Sequence, residues 1–165
     1  MYDFKPDENL DAAERYRQLC NAADALTATE SDPVANMANV AALIWEFVPG
    51  LNWAGFYRVL EQDDGSGELV LGPFVGRPAC IRIPMGAGVC GTAAETGETQ
   101  LVEDVHAFPG HIACDSASLS EVVVPVIRDG QVVAVIDLDS PEPARFTSED
   151  AAGIEKLAQL LANRI

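Results

Sequence analysis

From residue 9 to 28, apolar side chains recur at three- and four-residue steps. Leu10, Ala13, Tyr16, Leu19, Cys20, Ala23 and Leu26 share one side of a helical wheel, which predicts a first helix. Ser31-Asp32-Pro33 opens a second, with Asp32 as its cap and Pro33 at the first helical position. Val34, Met37, Val40, Ala41, Ile44, Trp45 and Val48 form its stripe, and Pro49-Gly50 ends it. The period then changes. Trp53 to Leu60 and Glu68 to Phe74 read as the strands of a hairpin around Asp63-Asp64-Gly65-Ser66-Gly67. Ala79 to Pro84 alternates apolar and polar residues, which predicts a third strand. Gly86-Ala87-Gly88 leads into a short helix over Val89 to Glu95, closed by Gly97. Gln100 to Val102 reads as a fourth strand.

Residues 103 to 120 show no clear period, and long irregular stretches inside compact domains tend to carry function. Glu121 to Ile127 and Gln131 to Leu138 are strands joined by Arg128-Asp129-Gly130, a strong hairpin signal. Thr147 and Asp150 have the spacing of a capping box ahead of a last helix over 148 to 164. Hairpin-linked strands between helices argue for an α+β fold with an antiparallel sheet. No internal repeat or linker interrupts the chain.

Composition narrows the function. The 165 residues carry 10 Lys and Arg against 26 Asp and Glu, a formal charge of −16. Such a surface repels phosphate backbones and anionic membranes, so neither nucleic acid nor membrane is an expected partner. No apolar run is long enough to span a bilayer. Residues 1 to 8 lack a basic segment followed by an apolar one, and the chain therefore reads as cytoplasmic. In that compartment Cys20, Cys80, Cys90 and Cys114 do not form a structural disulfide framework. Buried thiols, metal ligands and redox groups remain open.

Metal ligation gains little from the spacing. Cys80, Cys90 and Cys114 lie 10 and 24 residues apart, and His106 and His111 form no ligand pair with them, so no metal is expected. A Cys-His hydrolase would use His111 with Cys114, without any local signature to support it. Redox chemistry needs thiolate character. Cys90 lies near a helix start, and Cys80 would share a strand face with Arg82, with Arg77 close by. Asp115 beside Cys114 acts in the opposite sense. Cys20 reads as a small buried hydrophobe.

Acids form a second constellation. Asp137 and Asp139 end an otherwise apolar strand and, two apart, project from one face. Glu121 begins the neighbouring strand. The ordinary reading is a strand end emerging into water. The functional reading is a cation-binding cluster, with one acid held protonated by its neighbours. Trp53 and Tyr57 share a strand face, as core packing or as the aromatic wall of a pocket.

Several segments match a known family. They are Asn52-Trp53-Ala54-Gly55-Phe56-Tyr57, Leu71-Gly72-Pro73-Phe74, Pro78-Ala79-Cys80-Ile81-Arg82-Ile83-Pro84 and Gly88-Val89-Cys90-Gly91-Thr92-Ala93. To these are added the run from Asp104 to Ser118 and Asp137-Leu138-Asp139-Ser140-Pro141. Together they closely resemble the free methionine-(R)-sulfoxide reductases, single-domain GAF enzymes. The resemblance covers about residues 50 to 146, and the first helix carries none of it. Val75 and Arg77 depart from residues common in that family, in a loop.

The resemblance implies a GAF-like antiparallel sheet with helices on both sides. It implies one domain over 1–165, with residues 1–30 an N-terminal helix packed on it. It further implies reduction of free methionine-(R)-sulfoxide without a cofactor. Cys114 corresponds to the attacking cysteine, Cys80 to its resolving partner and Cys90 to a further redox cysteine. Glu121, Asp137, Asp139, Trp53 and Tyr57 match the substrate-binding residues. Sulfenic acid at Cys114 would condense with Cys80, and thioredoxin would reopen the disulfide. A homodimer is expected through the first two helices. A non-catalytic GAF sensor module is the alternative.

Overall fold

The computed structural model describes residues 4–7, 9–61, 67–110 and 116–165. In it, helices begin where short polar side chains can take up the unpaired amides of the first turn. Helix α1 (Ala12–Thr27) starts at Asp11, whose carboxylate accepts from the Glu14 N–H at 2.8 Å. Asn9, at φ 61°, stands outside helical geometry, so the helix begins later than residue 9. Helix α2 (Pro33–Phe47) is capped by Asp32, as the sequence predicts. Helix α4 (Ser148–Leu161) carries the full Thr147/Asp150 capping box. Helix α3 (Gly88–Thr96) differs. Its cap residue is Ala87, which offers no side-chain bond, and Gly97 closes it.

Among the described residues, six strands form one antiparallel sheet: β1 (Trp53–Glu61), β2 (Gly67–Gly76), β3 (Arg82–Pro84), β4 (Gln100–Val102), β5 (Ser120–Arg128) and β6 (Gln131–Ser140). Their order across the sheet is β3-β2-β1-β6-β5-β4. The β5–β6 hairpin closes on Asp129 (φ 52°) and Gly130 (φ 80°), two successive left-handed residues of the kind a tight two-residue turn demands. The expected turn at 63–67 lies largely outside the described residues.

One predicted strand is shorter than its pattern. Ala79 to Ile81 do not join β3, and Ile81, which the pattern places on the apolar side, is exposed. The register of β1 and β2 slips between Gly55 and Tyr57, leaving Gly72 and Pro73 opposite Phe56. Such a bulge bends its strand, and Pro73 has no N–H to extend pairing at the edge. Cys80 therefore does not share a strand face with Arg82, and Arg82 pairs instead with Glu68.

The two faces of the sheet are divided by alternation. Ala54, Phe56, Val122, Val124, Val126, Ala134, Ile136 and Leu138 pack against α1, α2 and α4 in the larger core. Each large aliphatic side chain buried there contributes roughly 2 kcal/mol. Trp53, Tyr57, Val123 and Val135 face the other way, beneath α3 and the short 3-10 turn Val105–Ala107. Helices thus cover both faces of an antiparallel sheet, the expected α+β arrangement. No helix among the described residues is long and apolar enough to cross a membrane.

Candidate functional site

Strand register assembles the site on the face covered by α3. Trp53 stands opposite Asp139, and Asp139 opposite Glu121, so three neighbouring strands contribute one row. The next row is Gly55, Asp137 and Val123. Residues 16 and 18 positions apart in sequence become neighbours because β5 and β6 form a tight hairpin.

Gly55 leaves space in that second row. A Cβ there would lie 2.4 Å from Phe74 Cβ and 2.7 Å from the Trp53 ring. The missing side chain lets the indole lie between two other rings. Trp53 stacks on Phe74 at 5.3 Å and on Tyr57 at 5.9 Å between centroids. The Trp53 indole N–H donates to the Arg77 carbonyl at 3.1 Å, and the Tyr57 hydroxyl to the Cys80 carbonyl at 3.1 Å. These two bonds tie the segment preceding β3 to the aromatic wall and set Cys80 at its edge.

The result is a cleft of about 550 Å³, its mouth included. Trp53 and Tyr57 line it with Cys90, Ser118, Glu121, Asp137 and Asp139, and with the first turn of α3. No Lys, Arg or His lines it among the described residues. The Gly88, Val89 and Cys90 amides open that turn. Helical first-turn amides have no intrahelical acceptor, and Ala87 supplies none from its side chain.

Electrostatics in the cleft follow from burial with no basic side chain lining it among the described residues. Glu121 is 6% exposed and Asp137 5%. Burial, then the charges of Asp137 and Asp139, push the Glu121 carboxyl well above the carboxylate range. Burial raises Asp137 to about 7, opposed by hydrogen bonds from Cys90 and Glu121. Protonated Glu121 is thus the donor and Asp137 the acceptor of their shared bond. Asp137 Oδ1 has no partner among the described residues.

Cys90 Sγ lies 3.3 Å from Asp137 Oδ2 and 3.9 Å from Glu121 Oε1. Its place in the first turn of α3 would favour a thiolate, but burial comes first, followed by the Asp137 and Glu121 charges, and together they push the thiol well up. Cys90 is therefore a neutral thiol that donates to Asp137. Burial likewise raises Tyr57, with Asp137 next in effect, so its hydroxyl stays protonated.

The structure thus brings together Trp53, Tyr57, Cys90, Glu121, Asp137 and Asp139 around one cleft, with Cys80 beside it. Cys80 is disulfide-bonded, whereas Cys90 and Cys20 are free thiols. Cys20 packs against the core on the opposite face of the sheet. Cys114 and His111 lie outside the described residues. Reading single residues missed Ser118, which is 4% exposed, lines the cleft and accepts from Asn52 Nδ2 at 3.0 Å. Both Asn52 and Ser118 fall in the quoted motif segments, the only sequence signal that marks them.

Comparison with known proteins gives this geometry a family. Residues 34–165 match the GAF domain model. The free methionine-R-sulfoxide reductase of Escherichia coli strain K12 is 47% identical, over 92% of this chain and 89% of its own. That of Saccharomyces cerevisiae is 44% identical, over 93% of this chain and 87% of its own. The X-ray structure of free methionine-R-sulfoxide reductase from Neisseria meningitidis in complex with its substrate superposes with a TM-score of 0.91. It is 44% identical and covers 99% of this chain and 95% of its own. A match of this extent in both sequence and fold places the chain in the free methionine-R-sulfoxide reductase family of GAF-domain proteins.

Proposed function

We propose that the protein reduces free methionine-(R)-sulfoxide to methionine by cysteine chemistry in the cleft between β1, β6, β5 and α3. The observation that carries this reading is a buried cluster of carboxyl groups, facing an aromatic wall, with no basic residue lining the cleft among those described. Such a floor favours a cationic ligand. A free amino acid carries an ammonium group, which a residue within a polypeptide lacks. Its carboxylate suits the first-turn amides of α3, which have no intrahelical acceptor and no side-chain cap from Ala87. Trp53 and Tyr57 supply the apolar surface for a thioether side chain.

The reaction runs as follows. The Cys114 thiolate attacks the electrophilic sulfur of the sulfoxide. The oxygen becomes strongly basic as the S–O bond weakens, and a protonated carboxyl of the Glu121–Asp137 pair supplies a proton to it. The hydroxyl then passes from the substrate sulfur to the Cys114 sulfur as the bond between the two sulfurs breaks, so methionine departs and Cys114 is left as sulfenic acid. The Cys80 thiol then attacks that sulfur, water leaves and a Cys80–Cys114 disulfide forms. A dithiol of the thioredoxin class reduces it by exchange and is itself oxidised. The disulfide-bonded state of Cys80 and the free state of Cys90 agree with that order of events. Cys90, the further redox cysteine, stands behind the acids. A homodimer through α1 and α2 fits the exposure of Val34 and Trp45 on α2.

The test is a chiral assay on free and peptide-bound methionine sulfoxide with thioredoxin recycling. The expected result is turnover of the free R form only. Cys114→Ser abolishes turnover, and Cys80→Ser yields about one methionine per enzyme before stalling, as an unresolved sulfenic acid requires. Multiple turnover by Cys114→Ser, or equal use of the peptide, would overturn the reading.

A further inference from the structure

The cleft floor brings one sulfur and two carboxylates around a common centre. Cys90 Sγ is 3.3 Å from Asp137 Oδ2 and 3.9 Å from Glu121 Oε1, and all three donor atoms lie within 4.8 Å of one another. A tetrahedral zinc ion with bonds of about 2.3 Å to sulfur and about 2.1 Å to oxygen sets S···O edges of roughly 3.6 Å. The two sulfur–oxygen distances bracket that value. All three residues are at most 6% exposed, so their positions are set by packing. They come from α3, β5 and β6, elements that the core holds fixed. Independently of the spacing, Asp137 Oδ1 is buried against the cleft with no hydrogen-bond partner among the described residues. The Asp137 carboxylate thus keeps acceptor capacity for a ligand beyond the bond that its Oδ2 accepts from Cys90.

We propose that this floor is a binding site for one divalent cation of the zinc class, ligated by Cys90 Sγ, Glu121 and Asp137. The fourth direction opens into the cleft, where water completes the tetrahedron. The ion displaces the protons of Cys90 and Glu121, and the resulting thiolate beside two carboxylates selects Zn2+ or Cd2+ over Mg2+ and Ca2+, which prefer oxygen alone. The ion takes no part in the reduction. It occupies the ground assigned above to the substrate ammonium, so metal and amino acid exclude one another, and the ion is an inhibitor. This last clause rests on the proposed function; the metal site itself does not.

The experiment uses full-length protein in the oxidised form, where Cys80 is already in a disulfide, and in a Cys20→Ala background. Cys90 is then the thiol left to be read. Titration with Cd2+ and Co2+ is expected to give one ion per chain and a sulfur-to-metal charge-transfer band. Zn2+ is expected to displace either probe and to raise the Tm of the unsubstituted protein in a concentration-dependent way. Cys90→Ser abolishes the band, and Asp137→Asn weakens binding at least about tenfold. Absence of both the band and the Tm shift overturns the proposal without reliance on any cleft variant. So does an unchanged affinity in folded Cys90→Ser and Asp137→Asn proteins. Free methionine sulfoxide is expected to release the ion. If the ion binds through Cys90 but sulfoxide does not release it, the metal site stands and the shared position falls.

Discussion

Asp150 and Asp137 are both buried carboxylates at the ends of regular elements, 3% and 5% exposed, and they could hardly be treated more differently. Asp150 is satisfied from four directions. It accepts from the Tyr16 hydroxyl at 2.8 Å, the Thr147 amide at 2.8 Å and the Thr147 hydroxyl at 2.9 Å, and it pairs with Arg145 at 3.3 Å. Burial alone would raise its pKa, but those hydrogen bonds and the guanidinium hold it below the usual carboxylate range. Asp137 has a thiol and another acid as neighbours, and one oxygen without a partner among the described residues. Burial raises it to about 7. The first carboxylate locks α1 to α4. The second has no basic partner among the described residues, the environment that the proposed ammonium site calls for.

Substitution should separate the two sharply. Asp150→Ala leaves the Tyr16 hydroxyl without its acceptor, breaks the Arg145 ion pair and removes the carboxylate half of the α4 capping box, so chemical denaturation should show a loss of about 3 kcal/mol or more. Asp150 tolerating Ala within about 0.5 kcal/mol would remove its structural role. Asp137→Asn should spare stability or raise it, because it relieves a buried, like-charged site. Its cost should appear in kcat/KM for the free sulfoxide, a loss of about 30-fold or more for about 2 kcal/mol of lost ammonium pairing. Unchanged kinetics would place Asp137 outside the site.

The pH dependence of stability carries the same contrast with opposite signs. Asp137 holds its proton more tightly when folded than its ordinary value of 3.8 allows. The folded state therefore binds more protons than the unfolded chain, and stability falls as pH rises from about 4 to about 7, by up to about 1.4 kcal/mol per pH unit for one group. Glu121 adds to the fall in the same sense. Asp150, lowered on folding, contributes stability that is present above the ordinary carboxylate range and is lost as pH falls through its folded value. Melting curves across pH should show the neutral-side slope shrink in Asp137→Asn. The same slope in both proteins would show that another group titrates there. The smallest effect is expected on the far side of the sheet, where Cys20→Ser should change stability by about 1 kcal/mol and leave turnover alone.

Much of the frame could be read along the chain because its cues are local. Asp32 and Thr147 cap helices because a side chain reaches an amide two or three residues away. Asp129-Gly130 turns because only some residues accept a positive φ. The strand within the Ala79 to Pro84 pattern is shorter than the pattern for the complementary reason. Its length depends on whether β2 can offer a partner, and the bulge at Gly72-Pro73 withdraws it. The shared face of Asp137 and Asp139 follows from a period of two, whereas the partners of that face do not.

By itself the sequence determined where helices start, which hairpin closes tightly, which residues alternate toward one face, and, through its motif segments, the family. Those properties reside in a few neighbouring residues or in matched strings. Only the tertiary structure decided that Cys90 is a neutral thiol lodged against Glu121 and Asp137, rather than a helix-activated thiolate. Charge state depends on everything within a few ångströms, and burial beside two acids outweighs the start of a helix. Strand register set that neighbourhood, bringing residues 31 and 47 positions away from Cys90 against its sulfur.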